Sequence, residues 1–149
     1  MNAAISKLNC VARIGLLVCL NAISHVRAQP AGSIKVNENA VAFAPQLIQQ
    51  GHLIADGKGS WRAHKPSPDV ENEFIRAHGF AEYAKWYLGV DERYAVNTKR
   101  RYKFPYGDFK NAHRCGLLAV KARARQYGYA DIENAAAELE RMMKLRATD

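Results

Sequence analysis

The helical periodicity of the C-terminal third of the chain is the strongest constraint on its fold. Apolar side chains recur every three or four residues over residues 109–127, and the same spacing resumes over residues 132–143. Gly128 lies between the two segments, and so short a link joins helices only as an antiparallel pair. We therefore predict one helix over residues 109–127 with Asp108 as its N-cap, followed by a second helix that Asp131 caps.

The sequence upstream of this pair also favours helices. Ser67 followed by Pro68 is a helix-start signal, because a serine caps the first turn and a proline fits the first helical position. Gly79 interrupts the helical spacing that follows. We therefore predict two short helices with a bend at Gly79, the second of which ends at Gly89.

A β-hairpin is expected before these helices. Asp56 and Gly57 separate two short runs, residues 52–55 and 60–64, and Asp-Gly is a common turn between paired strands. Because a two-stranded hairpin is only marginally stable alone, it must pack on the helices. The predicted fold class is mainly α, a small helical bundle with a short N-terminal β-hairpin.

The N-terminal part of the chain differs from the rest. A basic start, an apolar run over residues 14–20 and small residues after it fit a secretory signal over residues 1–28. The run is too short to span a membrane, and it also fits an amphipathic or disordered extension or a misassigned start. We expect residues 1–45 to be a leader or flexible extension and residues 46–149 to form a single compact domain. The expected location is cytoplasmic, or periplasmic or secreted if the signal is cleaved.

The formal charge of +8 comes from one stretch of the chain. Residues 99–125 contain nine Lys or Arg residues and one acid, which already sums to +8, so the remaining residues sum to about zero. Aromatic residues alternate with the cations at its start, and a positive surface beside flat rings is typical of nucleic-acid binding. The predicted nucleic-acid contacts are Lys99, Arg100, Arg101, Tyr102, Lys103, Lys110, Arg114, Lys121 and Arg125. Tyr102 or Tyr106 would stack on bases.

The basic stretch is also compatible with roles inside the molecule. Cations near the C-terminal end of a helix interact favourably with its dipole, and acids elsewhere in the chain can pair with them. The leading hypothesis is a non-catalytic, small basic binding module that contacts nucleic acid through a helix face. The alternative is a structural or protein-interaction module whose basic face pairs with acidic surfaces.

His113 and Cys115 are the residues closest to a reactive pair. His113 lies on the apolar face of the predicted helix, where it is a general base, a ligand or a core histidine bonded to the backbone. Helical geometry would turn Asp108 about 140° and Cys115 about 200° away from it, which excludes a His–Asp dyad and a shared metal site. Cys115 is either a thiol activated by Arg114 or a small buried residue. We therefore predict no metal site, no cofactor and no catalytic residue.

Several segments resemble a family of short bacterial proteins of unknown function. They include the strings ADGKGSW, EFIRAHGFAEYAKW and KFPYGDFKNAHRCG, and the matching segments are residues 51–52, 56–61, 73–86, 102–109, 113–116 and 131–133. The resemblance covers about two thirds of the chain and implies a compact cytoplasmic unit. It implies no activity, cofactor or site residue.

Overall fold

The computed structural model describes residues 34–147, in which five α-helices pack around two small sheets. The helices are α1 (Glu38–Gln49), α2 (Trp61–His64), α3 (Pro68–Ala84), α4 (Arg114–Tyr127) and α5 (Ala130–Arg146), and a 3₁₀ turn spans Lys99–Arg101. The strands are β1 (Ile34–Val36), β2 (Leu53–Ile54), β3 (Tyr87–Asp91), β4 (Tyr102–Pro105) and β5 (Ala112–His113). The fold is therefore mixed α/β.

The two sheets differ in the direction of their strands. The larger one is antiparallel with the order β1-β3-β4, and the smaller one pairs β2 with β5 in parallel. Parallel neighbours require a long crossover, which here contains α2, α3, β3 and β4. Leu53 pairs with Ala112 and Ile54 with His113, so the carboxyl ends of both strands lie at the same edge.

The predicted helix pair is confirmed in its break at Gly128 and in the central part of its seam, Leu117, Val120 and Ala124, whereas Phe109 and His113 precede the helix and Tyr127 is half exposed. Gly128 adopts the left-handed conformation (φ 75°) that ends α4. The buried face of α4 consists of Cys115, Gly116, Leu117, Val120 and Ala124, and that of α5 includes Ile132, Ala136, Leu139 and Met143. Complete burial of each large aliphatic side chain contributes on the order of 2 kcal/mol. The packing of α4 on α5 thus forms much of the core.

Both predicted caps of this pair are wrong. The first helix begins at Arg114, because Asp108 caps a turn instead: its Oδ1 accepts hydrogen bonds from the backbone N of Lys110 (2.9 Å) and of Asn111 (2.6 Å). Asp131 lies in the first turn of α5, where a carboxylate favours the helix dipole, and Tyr129 is the N-cap residue.

The predicted bundle with an N-terminal hairpin is wrong. Residues 53–54 do form a strand, but it pairs with β5 rather than with residues 60–64, and residues 61–64 are helical. The Asp-Gly turn signal is local, whereas the partner of β2 comes from a distant part of the chain. Long-range pairing therefore decides this region, as it often does for short strands.

Helix α3 starts and bends where the sequence indicates. Ser67 Oγ accepts a hydrogen bond from the backbone N of Val70 (3.4 Å), and Gly79 has a non-helical backbone (φ 78°) that kinks the helix. The predicted end at Gly89 is wrong, because α3 ends at Ala84 and Gly89 lies in β3. A Cβ at Gly89 would lie 2.8 Å from the ring of Phe104, so the strand needs glycine there for close packing.

Part of the expected leader is structured. Within residues 34–45 lie β1 and most of α1, and the side-chain N of Asn37 donates to the carbonyls of Ala84 and Tyr87, both at 2.8 Å. The predicted signal over residues 1–28 lies outside the described residues. Within residues 34–147, none of the helices has both the length and the apolar character needed to cross a membrane.

We expect Gly89→Ala to destabilise the fold by about 1–3 kcal/mol, because the new methyl group must displace Phe104 and Ile132 in a packed core. Urea denaturation followed by circular dichroism measures the loss. Gly57→Ala is the matched control, since nothing lies within 4 Å of a Cβ there. Equal stability of the two variants would contradict the packing argument.

Candidate functional site

The parallel pairing of β2 and β5 brings four chemically active side chains to one sheet edge. Asp56 follows β2 by two residues, His113 ends β5 and Cys115 lies in the first turn of α4. His64 ends the short helix α2, which follows the loop that contains Asp56. We call Asp56, His64, His113 and Cys115 the Asp56 cluster; one ligand atom from each lies within 4.8 Å of the other three.

The carboxylate of Asp56 is the centre of the cluster. Its Oδ1 accepts a hydrogen bond from the backbone N of Cys115 (2.6 Å), which places a negative charge at the N-terminus of α4. Its Oδ2 lies 2.6 Å from His64 Nδ1, 2.7 Å from His113 Nδ1 and 3.0 Å from Cys115 Sγ. One oxygen thus faces three side-chain groups that are donors only when they carry a proton.

The imidazole of His113 lies between two carboxylates. Its Nδ1 faces Asp56, while its Nε2 lies 3.2 Å from Asp108 Oδ2, an ion-pair distance without hydrogen-bond geometry. A neutral imidazole has one proton, so one of these nitrogens faces a carboxylate with a lone pair. Either a second ring proton or a cation bound beside Nδ1 resolves this conflict.

Packing of Trp61 positions His64. The segment of residues 55–67, which contains the loop and α2, has no buried residue. The indole of Trp61 lies against α4 at Gly116, where a Cβ would come within 3.0 Å of the ring. The Trp61 ring centroid is 6.1 Å from that of His113, and the ring centroid of His64 is 4.9 Å from the same imidazole. Glycine at position 116 therefore allows α2 to approach the cluster.

The surroundings of the Asp56 cluster shift the pKa values of Asp56 and Cys115 in opposite directions. Burial disfavours the Asp56 carboxylate, but its hydrogen bonds to His113, Cys115 and His64 outweigh burial and lower its pKa to about 2. Burial and the neighbouring Asp56 carboxylate raise the pKa of the Cys115 thiol to about 11. Without a cation, the site therefore holds a charged carboxylate beside a protonated thiol.

The donor set of the cluster matches a transition metal. One thiol, two imidazoles and one carboxylate are the ligand types that zinc takes in tetrahedral sites. Such sites separate neighbouring ligand atoms by about 3.3–3.7 Å, and Cys115 Sγ lies 3.6 Å from His64 Nδ1. All three contacts of Asp56 Oδ2, at 2.6 and 2.7 Å to the histidines and 3.0 Å to Cys115 Sγ, are shorter, so coordination would require the carboxylate to move back from its partners.

This site was not predicted from the sequence because His113 and Cys115 were assumed to lie in one continuous helix. His113 and Cys115 are not two positions of one helix: His113 ends a strand, and α4 begins at Arg114. The turn that Asp108 caps also brings its carboxylate back to His113, so the excluded contact exists. One sequence feature did point to these residues. Asp56, His113 and Cys115 all lie within the segments that resemble the family of short bacterial proteins.

Most predicted nucleic-acid contacts are engaged inside the molecule. Lys99 pairs with Glu71 (2.6 Å), Arg125 with Glu133 (2.6 Å) and Lys121 with Glu140 (2.8 Å). Arg114 lies 3.7 Å from Glu140 and donates to the Asp56 carbonyl, while Arg101 donates to the carbonyl of Tyr94 (2.7 Å). Five of the eight predicted basic contacts therefore already have a partner within the chain.

The predicted stacking residues are buried. Tyr102 is 8% exposed and its hydroxyl donates to the carbonyl of Val96 (2.6 Å), whereas Tyr106 is fully buried. Arg100 and Lys103 both lie over the ring of Tyr94, at 5.8 and 5.6 Å from its centroid. Within residues 34–147, Arg100, Lys103 and Lys110 are the predicted contacts that form neither an ion pair nor a side-chain hydrogen bond.

No family model, curated protein or solved structure matches the chain. A function for the chain is therefore inferred from the geometry of the Asp56 cluster.

We expect Glu140→Gln to destabilise the fold by on the order of 2 kcal/mol near neutral pH, because the buried carboxylate binds Lys121 and Lys144. Burial disfavours the charge, but these lysines outweigh burial and hold the pKa of Glu140 below its usual value. The stabilisation by ionised Glu140 is therefore complete above the pKa that Glu140 has in the unfolded chain. It is lost as the pH falls through the lower pKa of Glu140 in the folded protein. Urea denaturation of both proteins at several pH values tests this.

The control is Glu138→Gln, which removes an exposed pair with Arg141 and is expected to change stability little. If Glu140→Gln costs no more than this control, or if its cost does not shrink in acid, the buried pairing is unimportant.

Proposed function

We propose that the chain is a zinc-binding domain whose ligands are Asp56, His64, His113 and Cys115. The observation that carries this proposal is the convergence of one ligand atom from each residue within 4.8 Å. These atoms come from the loop after β2, from α2 and from the junction of β5 with α4. A single divalent cation would replace the protons that the contacts around Asp56 otherwise require.

The surroundings of His113 support a metal in particular. Histidines that bind zinc commonly direct the second ring nitrogen to a carboxylate, which orients the ring and selects the tautomer. Asp108 lies at this position, 3.2 Å from Nε2. With a cation beside Nδ1, the Nε2 proton faces Asp108, and neither nitrogen presents a lone pair to a carboxylate.

The number of ligands favours a structural role for the metal. Four protein ligands complete a tetrahedral zinc site, whereas hydrolytic zinc sites keep one position for water. The segment of residues 55–67 has no buried residue, and its packing of the partly exposed Trp61 against α4 holds it only in part. Zinc would link this segment to the sheet edge and to α4, and its binding energy would add to the stability of the fold.

Thiol catalysis is less well supported by the same geometry. Cys115 lies at the N-terminus of α4 with His64 Nδ1 3.6 Å from its sulfur, a position that suits a nucleophile. However, burial and the Asp56 carboxylate raise the pKa of its thiol to about 11, which disfavours the reactive thiolate. A zinc ion would reverse this, because it binds the thiolate directly.

Nucleic-acid binding by the basic residues stays a prediction. The internal ion pairs of Lys99, Lys121 and Arg125 weaken it, since phosphate would have to compete with buried or nearby carboxylates. The cations most available for such binding are Arg100, Lys103 and Lys110.

We expect the purified protein to bind one Co²⁺ per chain, with tetrahedral visible bands and a thiolate-to-cobalt charge-transfer band in the near ultraviolet. Zn²⁺ should displace the cobalt, remove the bands and raise the melting temperature. Cys115→Ser should abolish the charge-transfer band and weaken metal binding at least tenfold. Optical titration and thermal melting measure these effects.

His52→Asn is the matched control, because His52 is exposed and does not belong to the cluster. His64→Asn provides a second test on a half-exposed ligand if Cys115→Ser does not fold. Failure of the wild-type protein to bind Co²⁺ or Zn²⁺ would refute the proposal, as would metal binding that neither cluster variant changes.

Asp108→Asn is expected to lower zinc affinity about 10–100-fold while leaving the metal-to-protein ratio at one. The amide keeps the shape of the side chain but loses the charge that orients His113. Competition with a chromophoric chelator measures the affinity, and the cobalt spectrum reports whether the four ligands are retained. An unchanged affinity would show that Asp108 serves only the turn of residues 108–111.

A further inference from the structure

We propose that a groove between α2, β4 and the C-terminal half of α4 binds a small anion with an aromatic ring, of the chemistry of a nucleoside monophosphate. The groove has a volume of about 700 Å³, which is within the range of small-molecule sites. None of the four residues of the Asp56 cluster lines it, although α2 contributes to both.

Aromatic side chains form the walls of the groove. They are Trp61, Phe104, Tyr127 and Tyr129. Phe104 packs edge-on against Tyr129 with centroids 5.8 Å apart, while Tyr127 is half exposed and lies 6.4 Å from Tyr129. Flat, partly exposed rings on several sides favour a planar ligand that stacks between them.

The charge of the groove selects an anion. Lys65, Lys103 and Arg123 line it together with no acidic residue. None of these three cations forms an ion pair within residues 34–147, in contrast to Lys121 and Arg125 on the same helix as Arg123. Arg123 instead lies over the ring of Tyr127 at 5.4 Å, where it can stack and still bind phosphate.

Phe104, which lines the groove, has a strained backbone. Its φ of 63° is the left-handed conformation, which is unfavourable for a bulky residue in a strand. Its ring fits against Gly89, where a Cβ would clash at 2.8 Å. Such strain concentrates at binding sites, and here it occurs in a partly exposed residue next to Lys103, which also lines the groove.

The groove suits one nucleotide better than a strand of nucleic acid. Of the residues predicted to contact nucleic acid, Lys103 is the one that lines it. A strand would need further cations along a continuous track, whereas those on α4 beyond the groove are paired with Glu133 and Glu140. Three cations without an ion pair among the described residues, in a groove lined by aromatic rings, fit a ligand that carries one phosphate group and one planar ring.

The test is titration of the full chain with AMP, adenosine and inorganic phosphate, followed by fluorescence. Trp61 lines the groove, whereas Trp86 is buried, so the quenched signal reports Trp61. We expect AMP to quench and to bind at least tenfold more tightly than adenosine or phosphate alone. Arg123→Gln and Lys103→Gln should each weaken AMP binding at least tenfold without a change in melting temperature.

Arg76→Gln is the control, because Arg76 is exposed on α3 and does not line the groove. AMP binding no tighter than phosphate, or AMP binding unaffected by Arg123→Gln, would overturn the proposal. Tighter binding of a short single-stranded DNA that Lys110→Gln weakens and Arg123→Gln does not would also overturn it, in favour of a nucleic-acid interface.

Discussion

The carboxylate of Asp56 is the interaction on which the organisation of the site depends. It lies in a loop without buried residues, yet it accepts a hydrogen bond from the N-terminus of α4 and contacts both histidines and the thiol of the cluster. Burial opposes the charge of this carboxylate, but the hydrogen bonds with His113, with the thiol and backbone N of Cys115 and with His64 outweigh burial, so its pKa falls to about 2. Burial and this neighbouring charge raise the pKa of the Cys115 thiol to about 11 in the absence of a bound cation.

Helix α2 connects the two sites that the structure suggests. His64 points into the Asp56 cluster, whereas Trp61 and Lys65 line the groove. The helix is a single turn, and an isolated turn is unstable because nucleation costs more than one hydrogen bond returns. Its position therefore depends on contacts outside itself, namely the indole on Gly116 and the imidazole on Asp56.

The cations that are concentrated in one stretch of the sequence do not form one continuous positive surface in the structure. Glu140 and Glu133 of α5 bind Lys121 and Arg125 of α4, so the antiparallel packing of the two helices neutralises part of the basic stretch. Lys99 is likewise held by Glu71 of α3. The cations of this stretch without an ion pair in the described part of the chain are spread out: Arg100 and Lys103 lie over the ring of Tyr94, Lys103 and Arg123 line the groove, and Lys110 is exposed elsewhere.

Local signals in the sequence determined three of the helices, α3, α4 and α5, although not the start of α4 or the end of α3. The break at Gly128, the kink at Gly79, the Ser67 cap and the buried faces of α4 and α5 follow from residue spacing and from backbone preference, which act over a few residues. The parallel pairing of β2 with β5 involves strands of two residues each, and it was decided by contacts between distant segments.

The Asp56 cluster could therefore not be read from spacing alone. Its members reach one edge only because that pairing aligns the ends of two strands, and because α4 begins after His113 rather than before it. The sequence by itself determined the kinked helix α3 and most of the α4–α5 pair, with the apolar faces of that pair. Only the tertiary structure decided which carboxylate meets which histidine, because that meeting depends on strand pairing across the whole crossover.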